Sequence, residues 1–246
     1  MLTMIHHSTG ARPALLSRRH HGLSLVELMV GITIGLFVTA AASLVVTYQL
    51  TDNRRLLLEL QVQQDLRATA DVIARELRRA GGRQLAANGV WSEANPATAN
   101  PFGTISLTTL ASGNTVVRFD YERGINLQPL GFGFENSAQT GNVGVIQSYI
   151  GTGWQDLTDR GTMDVTRFTV TPSVPAITNR IPCPKLCPAG DDLCWPTLNV
   201  RSYVVLIEAR ARTDDRIQGR LLSEVRLRND EFGFGTGLSA LQPCPA

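Results

Sequence analysis

Apolar residues change their spacing along the chain, and each change predicts a different element. From Gly22 to Leu50 they lie on every side, and the 24 residues from Leu28 to Thr51, between Glu27 and Asp52, carry no charge. As a helix rising about 1.5 Å per residue, such a run spans about 36 Å, more than a hydrocarbon core of about 30 Å. It can therefore cross a membrane. Beyond it the pattern becomes one-sided. Val62, Leu66, Thr69 or Ala70, Ile73, Leu77 and Ala80 recur at steps of three and four, while Arg67, Asp71, Arg75, Glu76, Arg78 and Arg79 fall largely opposite. No proline occurs from Ser24 to Ala80, so the spacing predicts one helix of 57 residues that leaves the membrane midway. Gly81-Gly82 gives its stop, with Arg78 and Arg79 in the last turn, where cations suit the helix dipole.

After Gly82 the period shifts toward two. Residues 83–103, with Asn95-Pro96 and Asn100-Pro101, read as a connecting loop. Strands are expected at Thr104–Leu110 and Thr115–Glu122, with a turn at Ser112-Gly113-Asn114, and at Val143–Tyr149, Asp164–Thr171, Asn199–Arg212 and Leu221–Arg228. The last two should form an antiparallel hairpin across Thr213–Arg220. The glycines between Gly124 and Gly153 read as turns, because no GKS or GKT and no strand-to-helix glycine pattern marks a phosphate loop. A sheet of about four to six strands laid on the amphipathic half of the helix gives an α+β fold.

Composition narrows the chemistry. The 246 residues allow one substantial domain beyond the apolar helix. The net charge of +2 falls to −1 once Arg12, Arg18 and Arg19 are removed with residues 1–22, so bulk charge does not suggest a polyanion partner. All four histidines, His6, His7, His20 and His21, precede Gly22. Without them the rest of the chain lacks the commonest general base and metal ligand. No pair of carboxylates is spaced for catalysis, so the expectation is no enzymatic activity, no metal and no cofactor.

The border of the apolar run carries the strongest local signal. Arg18, Arg19, His20 and His21 stand immediately before it, which keeps that end in the cytoplasm. Glu27 interrupts the run near its start, where it could snorkel to the headgroups or be protonated. Gly22-Leu23-Ser24-Leu25-Val26-Glu27-Leu28, after a basic leader and before a long apolar helix, resembles the class III signal of type IV prepilins and pseudopilins. The resemblance implies cleavage after Gly22 by prepilin peptidase, methylation of the new terminus at Leu23, and a partner for Glu27 in the cationic terminus of an adjacent subunit. It also implies the type IV pilin fold, a long N-terminal helix packed on an antiparallel β-sheet head. The chain then divides into leader 1–22, filament-core helix 23–51, amphipathic helix 52–81 and β-rich head 82–246. The family most often has Phe and Thr at the first two mature positions, where this chain has Leu23 and Ser24. A conventional secretory signal is cut after a shorter apolar core. Only Ala40-Ala41-Ala42-Ser43 could imitate such a site. Gly31 and Gly35 have the small-xxx-small spacing that lets helices approach closely.

A second resemblance rests on Leu157-Thr158-Asp159-Arg160-Gly161 before Asp164-Val165-Thr166-Arg167-Phe168, and on Glu224-Val225-Arg226-Leu227-Arg228-Asn229-Asp230. These are similar to the head of PilW-type minor pilins. The implied function is a low-abundance subunit needed to start or display a type IV pilus, and so for twitching motility or adhesion. The implied partners are prepilin peptidase, other minor pilins, the major pilin, the inner-membrane assembly platform and the membrane itself. The implied location is a single pass of the inner membrane, then the filament. A J-type minor pseudopilin of a type II secretion system shares the signal and a similar head. A pilus-displayed adhesin or DNA receptor is the alternative from another class, since 22 arginines can still form a local patch.

Cys183, Cys187 and Cys194 lie in the Pro-rich segment 181–196, and Cys244 lies two residues from the end. Their spacings are not those of zinc-binding CxxC pairs. In an oxidising compartment two disulfides are the expected state. Three connectivities are possible; one bridge within 183–194 and one to Cys244 would restrain the tail most. Trp195 beside Cys194 is expected to pack rather than to bind, and Trp91 and Trp154 fall in segments read as loops.

Overall fold

The computed structural model describes residues 22, 24–86, 100–123, 129–173, 177–180 and 196–233. The predicted long helix is present as α1, Leu25–Arg79, 55 residues without a break. By its internal contacts the chain divides into one unit up to Asp52 and a second from Asn53 onward.

In the second unit the helix face read from the spacing is the buried one. Val62, Leu66, Thr69, Ala70, Ile73, Ala74, Leu77 and Ala80 are all buried, whereas Arg67, Asp71, Arg75, Arg78 and Arg79 are exposed. The helix stops where the glycines stand. Gly81 has φ of +74°, a left-handed conformation that L side chains adopt only at a cost. The last carbonyls of the helix are then taken up by a distant segment. Arg228 N–H donates to Arg78 O at 3.1 Å, and Asn229 Nδ2 donates to Ala80 O at 3.1 Å. These groups would otherwise have no intrahelical partner. The Arg228-Asn229 pair of the C-terminal motif therefore caps α1.

Among the described residues eleven strands follow in three antiparallel sheets, rather than the single sheet of four to six expected. The first contains β1 (Ser106–Thr109), β2 (Thr115–Phe119), β3 (Leu130–Glu135), β4 (Val145–Ile150) and β5 (Gly153–Asp156), in that order. The remaining strands are β6 (Met163–Pro172), β7 (Ile177–Arg180), β8 (Thr197–Val200), β9 (Ser202–Ala211), β10 (Gln218–Arg226) and β11 (Glu231–Gly233). They form one sheet ordered β10-β9-β6 and another ordered β11-β8-β7. The segment 199–212 is thus two strands broken at Arg201. Its hairpin with β10 forms as expected, but Gln218 already pairs with Arg210, so the turn is shorter than Thr213–Arg220. β3 and β5 lie where turns and loops were expected.

One core joins α1 to the first two sheets. It contains Leu66, Ile73 and Leu77 from the helix, Val117, Phe119, Phe132 and Ile146 from the first sheet, and Phe168, Val205, Ile207 and Val225 from the second. In β6 both Val165 and Phe168 are buried, which strict alternation forbids. A bulge between Val165 and Arg167 shifts the register and brings both side chains inward. The Phe168 N–H displaced by the bulge donates to the buried Asn114 Oδ1 at 2.7 Å. β10 passes close beneath the helix: a Cβ on Gly219 would come within 2.5 Å of Leu66 Cδ1.

Two buried tyrosines give the head an alkaline limit. Tyr121 donates its phenol to Glu76 Oε2 at 2.9 Å, and burial followed by this acidic neighbour raises its pKa. Burial likewise raises that of Tyr203. Both phenols are neutral in the folded head, and an unfolded tyrosine ionises near pH 10. Their contribution is therefore complete below about pH 10 and lost as pH climbs through the raised folded values. The urea midpoint of the head is expected to fall as pH rises above about 10, and to fall less in the Tyr121→Phe/Tyr203→Phe variant. An equal fall in the variant would assign the alkaline limit to other groups.

Candidate processing and assembly segment

The helix begins just after the predicted cleavage point. Gly22 and Ser24 are exposed, and Ser24 is the last residue before α1, its carbonyl accepting the Leu28 N–H at 3.0 Å. Serine suits this capping position, and Ser24-x-x-Glu27 has the capping-box spacing, a local signal that the apolar pattern alone does not reveal. Glu27 is the acidic residue of the first turn and is exposed. A carboxylate there faces the positive end of the helix dipole, which offsets part of its cost beside an apolar run. Among the described residues Glu27 has no ion-pair partner. Leu23 lies outside the described residues.

The run that follows is apolar and exposed throughout. Val26, Met29, Ile32, Leu36, Phe37, Leu44 and Val45 all present more than half their surface. It is the one helix, among the described residues, long and apolar enough to cross a membrane. Its serine and threonine hydroxyls would be costly in lipid if left unpaired. They are paired within the helix. Thr33 donates to Val30 O at 2.8 Å, Thr39 to Gly35 O at 2.9 Å, Ser43 to Thr39 O at 2.8 Å, Thr47 to Ser43 O at 2.8 Å and Thr51 to Thr47 O at 2.9 Å. Glu27, Gly31, Gly35, Thr39, Ser43, Thr47 and Thr51 thus form one row at steps of four, with a carboxylate at its start and only small side chains after it. A Cβ added at Gly31 or Gly35 would meet no atom within 4 Å, so the row is open to a neighbouring helix.

In the head, the residues of the second resemblance have structural work. Thr158 Oγ1 accepts the Ile146 N–H at 3.0 Å, and Asp159 turns the chain by accepting the Gly161 N–H at 2.8 Å. Asp164, buried in β6, accepts the Gly144 N–H on one oxygen at 2.8 Å. On the other it accepts Arg210 Nε at 2.8 Å, with Arg210 Nη2 at 2.7 Å. This carboxylate ties the first sheet to the second. Arg201, at the break between β8 and β9, pairs with Glu231 at 3.5 Å and donates to Asn229 O at 3.3 Å, holding the cap of α1. Among the described residues no group of three or more His, Cys, Asp or Glu is placed to hold a metal ion. Cys183, Cys187, Cys194 and Cys244, with Trp91 and Trp195, lie outside the described residues. Trp154 lies on β5, outside any loop.

A capped, self-satisfied apolar helix with an acidic residue in its first turn, continuing as the spine of an antiparallel head, defines a prepilin-like protein. Comparison with protein families agrees at both ends. The prokaryotic N-terminal methylation motif matches residues 17–43, which include Gly22, Leu23 and Glu27. The family described as prepilin peptidase-dependent protein B matches residues 55–227, from the amphipathic helix through β10. The chain belongs to that family. It is a pilin-like protein anchored by its N-terminal helix and dependent on prepilin peptidase. No curated protein and no solved structure matches it.

Proposed function

We propose that the protein is a minor pilin of PilW type, an assembly subunit of a type IV pilus rather than an enzyme. The observation that carries this reading is the joint match of the methylation motif and a head family defined by prepilin peptidase dependence. In this reading the peptidase cuts after Gly22 and methylates Leu23. The helix waits in the inner membrane with the leader side cytoplasmic and the head periplasmic. Glu27 then pairs with the terminus of an adjacent subunit as the row from Gly31 to Thr51 seats against neighbouring helices. The partners are other minor pilins, the major pilin and the assembly platform, and the outcome is filament priming on which twitching or adhesion depends. Disulfides among Cys183, Cys187, Cys194 and Cys244 belong to the same reading, since an oxidising compartment favours them.

A clean deletion in the native host, scored for surface pili and secreted exoproteins side by side, tests it. Lost pili with normal secretion is the expected result. Lost secretion with normal pili would replace the minor pilin by a J-type pseudopilin of a type II secretion system.

A further inference from the structure

The outward face of the five-stranded sheet has an organisation that core packing does not require. In register across β2, β3, β4 and β5 stand Arg118, Gly131, Tyr149 and Trp154, each paired with the next and all half-buried or covered. The opposite face of the same strands, with Val117, Phe132 and Ser148, is the buried one. Tyr149 and Trp154 meet edge to face with centroids 5.2 Å apart, and the Arg118 guanidinium lies 4.6 Å and 5.4 Å from their centroids. Gly131 and Gly133 supply no side chain on this face. A Cβ on Gly133 would come within 3.0 Å of the Trp154 ring, and one on Gly131 within 3.3 Å of Arg118 Cγ. The glycines thus let a ring and a guanidinium lie low across β3.

One register step away is a second, polar group. Gln147 pairs with Gly133 on one side and Asp156 on the other. Gln147 Nε2 donates to Asp156 Oδ1 at 2.9 Å, and Arg160 Nε donates to Asp156 Oδ2 at 2.9 Å. Two aromatic rings held in place by a cation, beside a fixed row of amide, carboxylate and guanidinium, suit a ligand with one apolar face and a rim of hydroxyls. A pyranose has that form. A polyanion is less well matched, because Arg160 is neutralised by Asp156, and Glu135 follows Gly133 outward on β3.

We propose that this face is a binding site for neutral oligosaccharide, with the Trp154 ring as the stacking surface, Tyr149 set edge to face beside it as its support, and Gln147, Asp156 and Arg160 as the hydroxyl-reading edge. The site lies wholly within the head and does not depend on which filament carries it.

The test uses the full chain in a sugar-free zwitterionic detergent, titrated with chitotriose, cellotriose and maltotriose, by saturation-transfer NMR and tryptophan fluorescence. Saturable binding of at least one trisaccharide is expected. It should weaken tenfold or more in Trp154→Ala and in Gln147→Ala, and stay unchanged in Asp215→Ala on the far hairpin turn. Gln147→Ala keeps the test decisive if Trp154→Ala fails to fold, because Gln147 lies on the polar side and is not part of the core. Absence of saturable binding to all three sugars overturns the proposal, as does binding undiminished in Gln147→Ala. Salt-sensitive binding of a ten-residue oligothymidylate with no sugar binding would also overturn it, making the rings a nucleic-acid platform.

Discussion

Gly144→Ala is expected to lower the melting temperature of the head, residues 53–246, by about 10 °C or to prevent folding. Gly144 does not have a positive φ, so conformational freedom is not the reason. Space is. A Cβ there would lie 1.9 Å from the Val165 carbonyl oxygen and 2.9 Å from Phe134 Cε2. The first obstacle is backbone, which cannot swing aside as a side-chain tip can. Any retreat would also stretch two bonds that link the sheets, Val165 N–H to Gly144 O at 2.8 Å and Gly144 N–H to Asp164 Oδ1 at 2.8 Å. Overpacking together with loss of buried hydrogen bonds costs about 3 to 5 kcal/mol. In a domain of this size each kcal/mol is about 2 to 4 °C. Gly153→Ala is the control: it has no atom within 4 Å of the added carbon, and a change within about 0.5 kcal/mol is expected. Thermal melts of the three proteins decide the matter. Equal melting temperatures for the Gly144 variant and the parent would mean that the sheets are not joined as described.

Glu27→Ala is expected to leave cleavage after Gly22 intact and to cut the number of filaments more than tenfold. An ionised carboxylate in an apolar filament core is tolerable only with a cationic partner, and breaking such a buried pair costs about 3 to 5 kcal/mol. At about 1.4 kcal/mol per factor of ten, that exceeds a hundredfold in an assembly equilibrium. The substitution leaves the small-residue row and the internal hydroxyl bonds untouched, so the helix itself should persist. Filament counts and anti-head immunoblots of sheared and membrane fractions separate the two steps. Processed protein confined to the membrane is the expected pattern, and filaments in normal number would remove the assembly role from Glu27.

Much of the fold is legible because long-period signals dominate it. The buried face of α1 follows from residues three and four apart from Val62 to Ala80, and the Gly81-Gly82 stop is the observed one. The hairpin of β9 and β10 follows from alternation in two neighbouring segments. β3 is concealed for a definable reason. In Leu130-Gly-Phe-Gly-Phe the glycines argue for turns by propensity, yet they occupy every second place and leave Leu130, Phe132 and Phe134 to face inward. The period of two is present, but weighing glycine as punctuation hides it. The three sheets among the described residues, rather than one, cannot be read from spacing, because the division depends on distant partners: the bulge at Val165, the Asp164–Arg210 pair and the break at Arg201.

The prepilin-like character is readable, since glycine, carboxylate and apolar run lie in the one stretch of sequence that the methylation motif matches. What stays hidden there is quieter. Ser24 as the residue before the helix, and the four-step row of hydroxyls bonded back into it, emerge only when the helix is built. The platform on the outer sheet face is hidden more deeply. Arg118, Tyr149 and Trp154 lie on three strands, and Trp154 gains meaning only once β5 replaces a loop.

Intact mass and N-terminal sequencing of the protein purified from native membranes, with and without prepilin peptidase, test the central claim most directly. A chain that begins at methylated Leu23 when the peptidase is present, and that keeps the residues before Leu23 when it is absent, is the predicted result. A chain beginning at Ser43, or one unchanged by loss of the peptidase, would contradict it.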